Sequence, residues 1–309
     1  MSDKFRIVFL GDISLNDLSL DDARSDFNKF KEKLAPYNAD LIICNLESPL
    51  QTRDGRVNLD KNPRLQTSKE FMELLKIIGV NIAILGNNHI FDCLESGVEE
   101  TINFLDSIGL ASVGVNFKKA TSAKQFFKNG WKINIESKVS THTNPCIENN
   151  SQEVSLSLIE DYNNSSLSSE KKCINIMSLH WGIEFCGFPS PYQRLKGSQI
   201  IDNGFDFIYG HHTHSLQGLE KKNKRTIAYS FGNFYFGDLL SAKPKIFWKK
   251  NNRITAIGVV DFDENGENEV RLDLVENQSG NVLNKVSLFY KSLIFLRSFL
   301  LFRNKSIYL

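Results

Sequence analysis

Short apolar runs punctuate the start of the chain: Phe5-Arg6-Ile7-Val8-Phe9-Leu10, stopped by Gly11-Asp12, then Leu41-Ile42-Ile43-Cys44, then Ile82-Ala83-Ile84-Leu85. Rich in β-branched and aromatic residues and bounded by turn formers, each predicts a buried strand. Between them apolar residues return at helical spacing, as Phe27, Phe30 and Leu34, as Phe71, Leu74, Leu75 and Ile78, and as Val98, Ile102, Leu105 and Ile108. Strand and helix alternate, which predicts a doubly wound α/β sheet. Further strands are expected at 131–135, 173–179, 205–209, 226–230, 254–262 and 270–275, the later ones linked in antiparallel fashion.

Two segments break this rhythm. Residues 137–172 are dense in Asn, Ser and Glu, and predict a surface loop or partly helical insertion within one domain spanning 1–283. Residues 284–309 form a basic, aromatic-rich tail with Lys285, Lys291, Arg297, Arg303 and Lys305 and no acid. Its charges recur too often for a membrane span, which needs roughly 18 apolar residues. The tail reads either as a packed terminal helix whose cationic stems snorkel, or as a peripheral contact with an anionic membrane or a membrane-bound partner.

Composition narrows the classes. In 309 residues, 41% hydrophobic and 24% charged, there is material for a large core. Lys plus Arg number 37 against 36 Asp plus Glu, which argues against a nucleic-acid partner gripped by a strongly basic surface. The five cysteines are widely spaced with no C-x-x-C pair, so neither a disulfide framework nor a thiolate zinc site is indicated. They fit a reducing compartment, and the 5–10 run is too short for a signal peptide, so a cytoplasmic location, peripheral at the inner membrane face, is expected.

The chemistry concentrates where strands are expected to end. His89 follows Asn87-Asn88, His180 opens His180-Trp181-Gly182, and His211, His212 and His214 share Gly210-His211-His212-Thr213-His214. With Asp12 and Glu47, which also follow predicted strands, these side chains should converge at the carboxyl end of a sheet, where open α/β folds place ligands. On a strand or extended turn, His212 and His214 would point the same way. Taken singly, Asp12 and Glu47 could cap helices, Asn88 could hold a left-handed turn and His180 could be a core histidine. Together they form a nitrogen and oxygen donor set suited to divalent ions such as Mn, Zn or Fe.

Gly11-Asp12, Asn45-Leu46-Glu47-Ser48-Pro49, Gly86-Asn87-Asn88-His89 with Asp92, His180-Trp181-Gly182 with Glu184, Gly210-His211-His212-Thr213-His214 with Gln217, and Tyr229-Ser230-Phe231-Gly232-Asn233-Phe234 resemble, in order and spacing, the motifs of the CapA-like family. That family is associated with poly-gamma-glutamate capsule biosynthesis and belongs to the calcineurin-like metallophosphoesterase superfamily. The resemblance covers about residues 7–236. It implies a four-layer α/β/β/α sandwich with a metal centre at the strand ends. By the same resemblance Asp12 binds the first ion and Glu47 bridges both. Asn88, His180 and His212 complete the second site, and His214 reaches back to the first. His89 is the implied general acid, with Asp92 beside it in the catalytic set.

His211, Glu184, Gln217 and Asn233 are expected to orient histidines or line the pocket. Lys61 and Arg64, in a loop where the family usually carries a Phe- and Arg-containing stretch, are candidates to bind an anionic small-molecule or polymer substrate. The chain departs from the superfamily in having Asp12-Ile13-Ser14 where Asp-x-His is usual, which leaves a single-metal centre open. The reading is therefore a metal-dependent hydrolase acting in capsule or surface-polymer metabolism. Its competitor is a non-enzymatic or single-metal accessory factor in polymer synthesis or export at the membrane.

Overall fold

The computed structural model describes residues 4–117, 122–149, 151, 153–163, 167, 170–288, 291–293, 296 and 298. In chain order the strands are β1 (Phe5–Ser14), β2 (Leu41–Leu46), β3 (Ile82–Ile84), β4 (Ala111–Val113), β5 (Val115–Phe117), β6 (Ala123–Lys128), β7 (Trp131–Val139), β8 (Val154–Leu156), β9 (Cys173–His180), β10 (Phe207–His211), β11 (Leu219–Lys222), β12 (Arg225–Ala228), β13 (Asn233–Phe236), β14 (Ile254–Phe262), β15 (Asn268–Gln278) and β16 (Asn281–Lys285). The main helices are α1 (Leu20–Leu34), α4 (Leu94–Ser107) and α5 (Pro191–Asp202), with single turns at α2 (Lys69–Met72), α3 (Leu74–Ile77) and α6 (Lys250–Arg253).

The strands form two large sheets instead of one doubly wound sheet. One runs β16-β15-β14-β1-β2-β3-β4, with β13 beside the far end of β1; the other runs β11-β12-β10-β9-β7-β6. The period of two along β1 explains the layering. Phe5, Ile7 and Phe9 point into an apolar cluster shared with Trp131, Ile133, Ile176, Phe207 and Tyr209 of the second sheet. Val8 and Leu10 point the other way, against Phe27 and Phe30 of α1 and Leu105 of α4. A third cluster seats Ile200 and Ile201 of α5 on Met177, Leu179 and Ile208. Three apolar interfaces separate four layers, helix, sheet, sheet, helix, as the family resemblance implied.

Three expectations need correction. First, the antiparallel expectation holds for the last strands, β14–β15 and β15–β16, but not for the middle of the second sheet, where β7–β9, β9–β10 and β10–β12 are parallel. Parallel neighbours need a crossover, and α5 supplies the one between β9 and β10. Its stripe of apolar burial is narrow, with Ile200 and Ile201 beside Gln193 and Gly197, so periodicity did not announce it. Its start is well specified, because Ser190 and Gln193 form a capping box ahead of Pro191.

Second, the polar segment 137–172 begins inside β7, where Ser137 and Val139 are fully buried, and returns to the core as β8, which pairs with β5. Third, β16 runs to Lys285 and Val286 packs into the inter-sheet core, so pairing carries the chain past the expected 283/284 boundary. Of the tail cations Arg297, Arg303 and Lys305 lie outside the described residues, and so does most of the proposed membrane contact. Among the described residues no helix is long and apolar enough to cross a membrane.

The buried thiols Cys44 and Cys93 are pushed up to about 12 by burial and act as small core hydrophobes, as their scatter suggested. Phe30 is fully buried and its ring meets those of Phe27, Phe234 and Tyr235. Phe30→Ala should therefore cost about 3–5 kcal/mol, seen as a lower urea midpoint with an unchanged denaturant slope. A loss under about 1 kcal/mol would show that this helix–sheet interface is looser than its geometry suggests.

Candidate metal centre

The candidate ligands gather because parallel strands all end at one edge of the sandwich. Asp12 lies opposite Asn45 of β2 and Asn233 of β13, and the ladder shifts register on either side of it. Such an irregularity turns a side chain that would otherwise enter the core. Gly11 permits the close approach this needs, since a Cβ there would stand 2.0 Å from the Gly232 carbonyl oxygen. The Asp12 amide donates to that same carbonyl at 2.8 Å. Asn45 and Glu47, two residues apart at the end of β2, are linked by the Asn45 amide, which donates to Asp12 Oδ1 at 2.9 Å and to Glu47 Oε1 at 3.1 Å.

Ligand atoms of Asp12, Glu47 and His214 all lie within 4.8 Å of one another, close to the spread that bonds of about 2.0–2.2 Å impose around one ion. Burial raises the Asp12 carboxyl to about 6 and Glu47 well above the usual carboxylate range, Asp12 and Glu184 adding to the latter as like charges. Two fully buried carboxylates at this separation call for a cation.

The histidines supply a second group. His180 Nε2 is 2.8 Å from Asn88 Oδ1, and the ring of His212 sits 4.6 Å from that of His180 and 6.2 Å from that of His214. His180 Nδ1 meets His211 Nδ1 at 2.7 Å, and His211 Nε2 meets Ser178 Oγ at 2.8 Å. Asn88 Oδ1 can only accept, so His180 Nε2–H donates to it, His180 Nδ1 accepts from His211 Nδ1–H and the Ser178 hydroxyl donates to His211 Nε2; an ion at Nε2 would require this relay to shift, with the His180 proton on Nδ1. Burial lowers His180 and His212 well below the usual imidazole value and His211 to about 3, so these rings are neutral donors. Glu47 Oε2 and His212 Nδ1 are buried without a hydrogen-bond partner, a cost of about 1–3 kcal/mol each that coordination would relieve. The residues therefore fit a divalent metal.

His212 and His214 do not converge by strand alternation. Both follow β10 in a bend with left-handed backbone, φ 95° and 51°, a conformation costing about 1–3 kcal/mol per residue. The surroundings hold it: the His212 amide donates to Asp12 Oδ2 at 3.3 Å, and Asn252 donates to the His214 carbonyl at 2.9 Å and to Ser215 Oγ at 3.1 Å. Asn233 Oδ1 is 2.8 Å from His214 Nδ1.

His89 stands on the turn after β3. Its amide donates to Asn87 Oδ1 at 3.1 Å while Asn87 Nδ2 donates to the Leu46 carbonyl at 2.8 Å, which ties the turn to β2. Asp92 Oδ2 faces His89 Nδ1 at 2.7 Å and also accepts from the Leu65 amide at 2.7 Å. Nδ1–H is thus engaged and Nε2 is left to exchange a proton.

The expected pocket residues divide. His211 and Asn233 touch the candidate ligands His180 and His214. Gln217 does not: its amide donates to the carbonyls of Cys186 and Phe188 and so fixes the loop after β9. Glu184 is exposed and shares with His212, His142 and Tyr192 the lining of a cleft of about 600 Å³. Lys61 is buried, its ammonium donating to the Asn144 carbonyl at 2.8 Å, whereas Arg64 is exposed. Sequence reasoning passed over Asn45, Ser178, Asn252 and the cleft residue His142. Asn45 had a signal in its two-residue spacing from Glu47; Asn252 had none.

A model of the family described as bacterial capsule synthesis protein PGA_cap matches residues 6–238. The chain belongs to this family. Similar curated proteins include the capsule biosynthesis protein CapA of Bacillus anthracis, 30% identical over 66% of this chain and 52% of that protein. The PGA biosynthesis protein CapA of Bacillus subtilis is 27% identical over 64% and 53%. The chain thus spans about half the length of the curated relatives it matches.

Among solved structures, a phosphatase from Mycoplasma pneumoniae superimposes with TM-score 0.54 at 17% identity, over 90% of this chain and 96% of that one. A hypothetical protein from Thermus thermophilus gives 0.51 at 13%, over 88% and 100%. At these identities they show a shared fold.

Glu47→Gln keeps the shape of this PGA_cap site and removes a charge. It should weaken Mn or Zn binding at least about 100-fold, beyond the ~10–100-fold typical of residues behind the ligands, by calorimetry. Wild-type affinity should fall as the pH drops through 6, because the Asp12 carboxyl, held at about 6 by burial, must release its proton to bind. Affinity independent of pH in that range would place the ion elsewhere.

Proposed function

We propose that this chain is a metal-dependent hydrolase of phosphoester bonds that acts in the biosynthesis of capsule or another surface polymer. The observation that carries the hydrolase reading is the pairing of His89 with Asp92 beside the buried donor set, since a purely structural metal site needs no held proton donor. The polymer context rests on membership of the capsule synthesis family.

In this reading Asp12, Glu47 and His214 hold one divalent ion, Mn, Zn or Fe by the softness of the donors, and Asn88, His180 and His212 hold a second. When bound, such ions lower the pKa of a water nucleophile and neutralise charge on the phosphoryl oxygens. The rest falls to the protein. Asn45 keeps the Asp12 and Glu47 carboxylates apart and oriented. His211 and Ser178 fix the rotation of His180. His89 Nε2–H gives its proton to the leaving oxygen, and the Asp92 carboxylate stabilises the ring before and after transfer by holding Nδ1–H.

Lys61, whose ammonium donates to the carbonyl of the cleft residue Asn144, presents its remaining N–H groups to an anionic substrate, and Arg64 lies further out on the same loop. Ser14, buried without a partner where the superfamily has histidine, favours a weaker or single-ion first site. That is the specific ground for the single-metal alternative.

The chain purified without added metal, assayed for metal content and for phosphomonoester and phosphodiester hydrolysis across Mn, Zn, Fe, Co and Mg, tests this. His89→Ala should lower turnover about 10²–10⁴-fold with bound metal unchanged. Loss of metal in parallel would make His89 a ligand. A loaded chain inert on every ester would leave the accessory-factor reading standing.

A further inference from the structure

The loops around the metal centre carry an unusual share of outward-facing apolar tips. Of the eleven large hydrophobic residues exposed among the described residues, six lie on three loops: Leu59, then Ile183, Phe185 and Phe188, then Leu240 and Phe247. Leu59 is 81% exposed, Phe247 64% and Ile183 63%, so these side chains project instead of half-packing. The three loops share an origin: they leave β2, β9 and β13 just beyond Glu47, His180 and Asn233, so all rise from the ligand-bearing end of the sandwich.

They also support one another. Asn62 donates to the Lys243 carbonyl at 2.5 Å and accepts from the Lys243 amide at 3.1 Å. The rings of Phe185 and Trp248 lie 6.1 Å apart, and Leu239 and Ile246 exchange backbone hydrogen bonds at 2.9 and 3.1 Å. The third loop is the basic one. Lys243, Lys245 and Lys249 are exposed and, among the described residues, make no ion pair, while Asp238, the loop's acid, is taken by Arg253 at 3.2 Å. Exposed acids Asp60 and Glu184 lie on the first and second loops, and Asp17 lies beside the third, where its carboxylate accepts from Ser241.

From this we infer that the rim of loops 57–64, 182–190 and 237–249 is a docking surface for an anionic bilayer, on which Leu240 and Phe247 enter the headgroup region while Lys243, Lys245 and Lys249 meet lipid phosphates. Interleaved cations and apolar tips are the pattern of an interfacial surface. A soluble polyanion would use the lysines and gain nothing from the outward Leu and Phe. Docking this way turns the mouth of the metal centre toward the membrane plane. The surface is distinct from the C-terminal tail, and its binding requires neither metal nor turnover.

Sedimentation of the 309-residue chain, stripped of metal, with phosphatidylserine-containing vesicles, against pure phosphatidylcholine vesicles, tests this without reference to catalysis. The wild type should sediment with the anionic vesicles only, and less so as salt is raised. The triple variant Lys243→Glu, Lys245→Glu, Lys249→Glu should lose binding by at least about 10-fold. The double variant Leu240→Ser, Phe247→Ser should lose it too, with unchanged thermal unfolding in both. No wild-type binding, binding that survives charge reversal, or loss in the lysine variant alone would each overturn the inference. The last result would assign the lysines to a soluble polyanion.

Discussion

Two carboxylates and a shell of imidazoles buried at the end of a β-sandwich form an electrostatic problem that the rest of the fold is arranged around. Asp12 and Glu47 are both fully buried, and burial with mutual repulsion drives their proton affinities up. Hydrogen bonds from Asn45 and the His212 amide relieve part of this cost, but both are dipoles set against net charge. A cation is the economical solution. The same burial that penalises the carboxylates keeps His180 and His212 neutral, so one cause prepares acid and imidazole ligands alike.

Holding these groups in place requires backbone that ordinary strands do not provide. The register shift at Asp12, the contact between Gly11 and Gly232, and the left-handed residues His212 and His214 each depart from regular geometry. They persist because the three apolar interfaces behind them are densely filled, with Phe9 stacked on Phe207 and Phe27 edge-on to Tyr235. Local strain of a few kcal/mol is small beside what a core of this size supplies.

Much of this could be read from the chain because strand ends and chemistry coincide in sequence. The runs at 5–10, 41–44 and 82–85 are short and apolar, and each is followed at once by its polar motif, so placing the strand also placed Asp12, Glu47 and Asn88. What stayed hidden depends on partners far apart. Asn252 reaches back to His214 across 38 residues, and no spacing rule links them. Helix α5 lacked a legible stripe because its sheet face relies on Gly197 approaching Ile227 closely. The two-sheet arrangement came from family resemblance, since alternation of strand and helix is equally compatible with one sheet. Gln217 looked like a ligand-side residue by proximity to His214, yet one turn of chain was enough to aim it at the loop after β9.

That division between strand ends and loops has a consequence for how such a protein can change. Asp12 and His180 sit on strands, and Glu47, Asn88, His212 and His214 lie within four residues of a strand end, whereas the groups that meet whatever approaches the cleft belong to longer segments tied in part to one another, as Asn62 is to Lys243. Insertions or exchanges in those segments leave the donor geometry intact. The scaffold is thus evolvable in its choice of target while conservative in its chemistry, and transplanting a rim between homologues should carry selectivity with it.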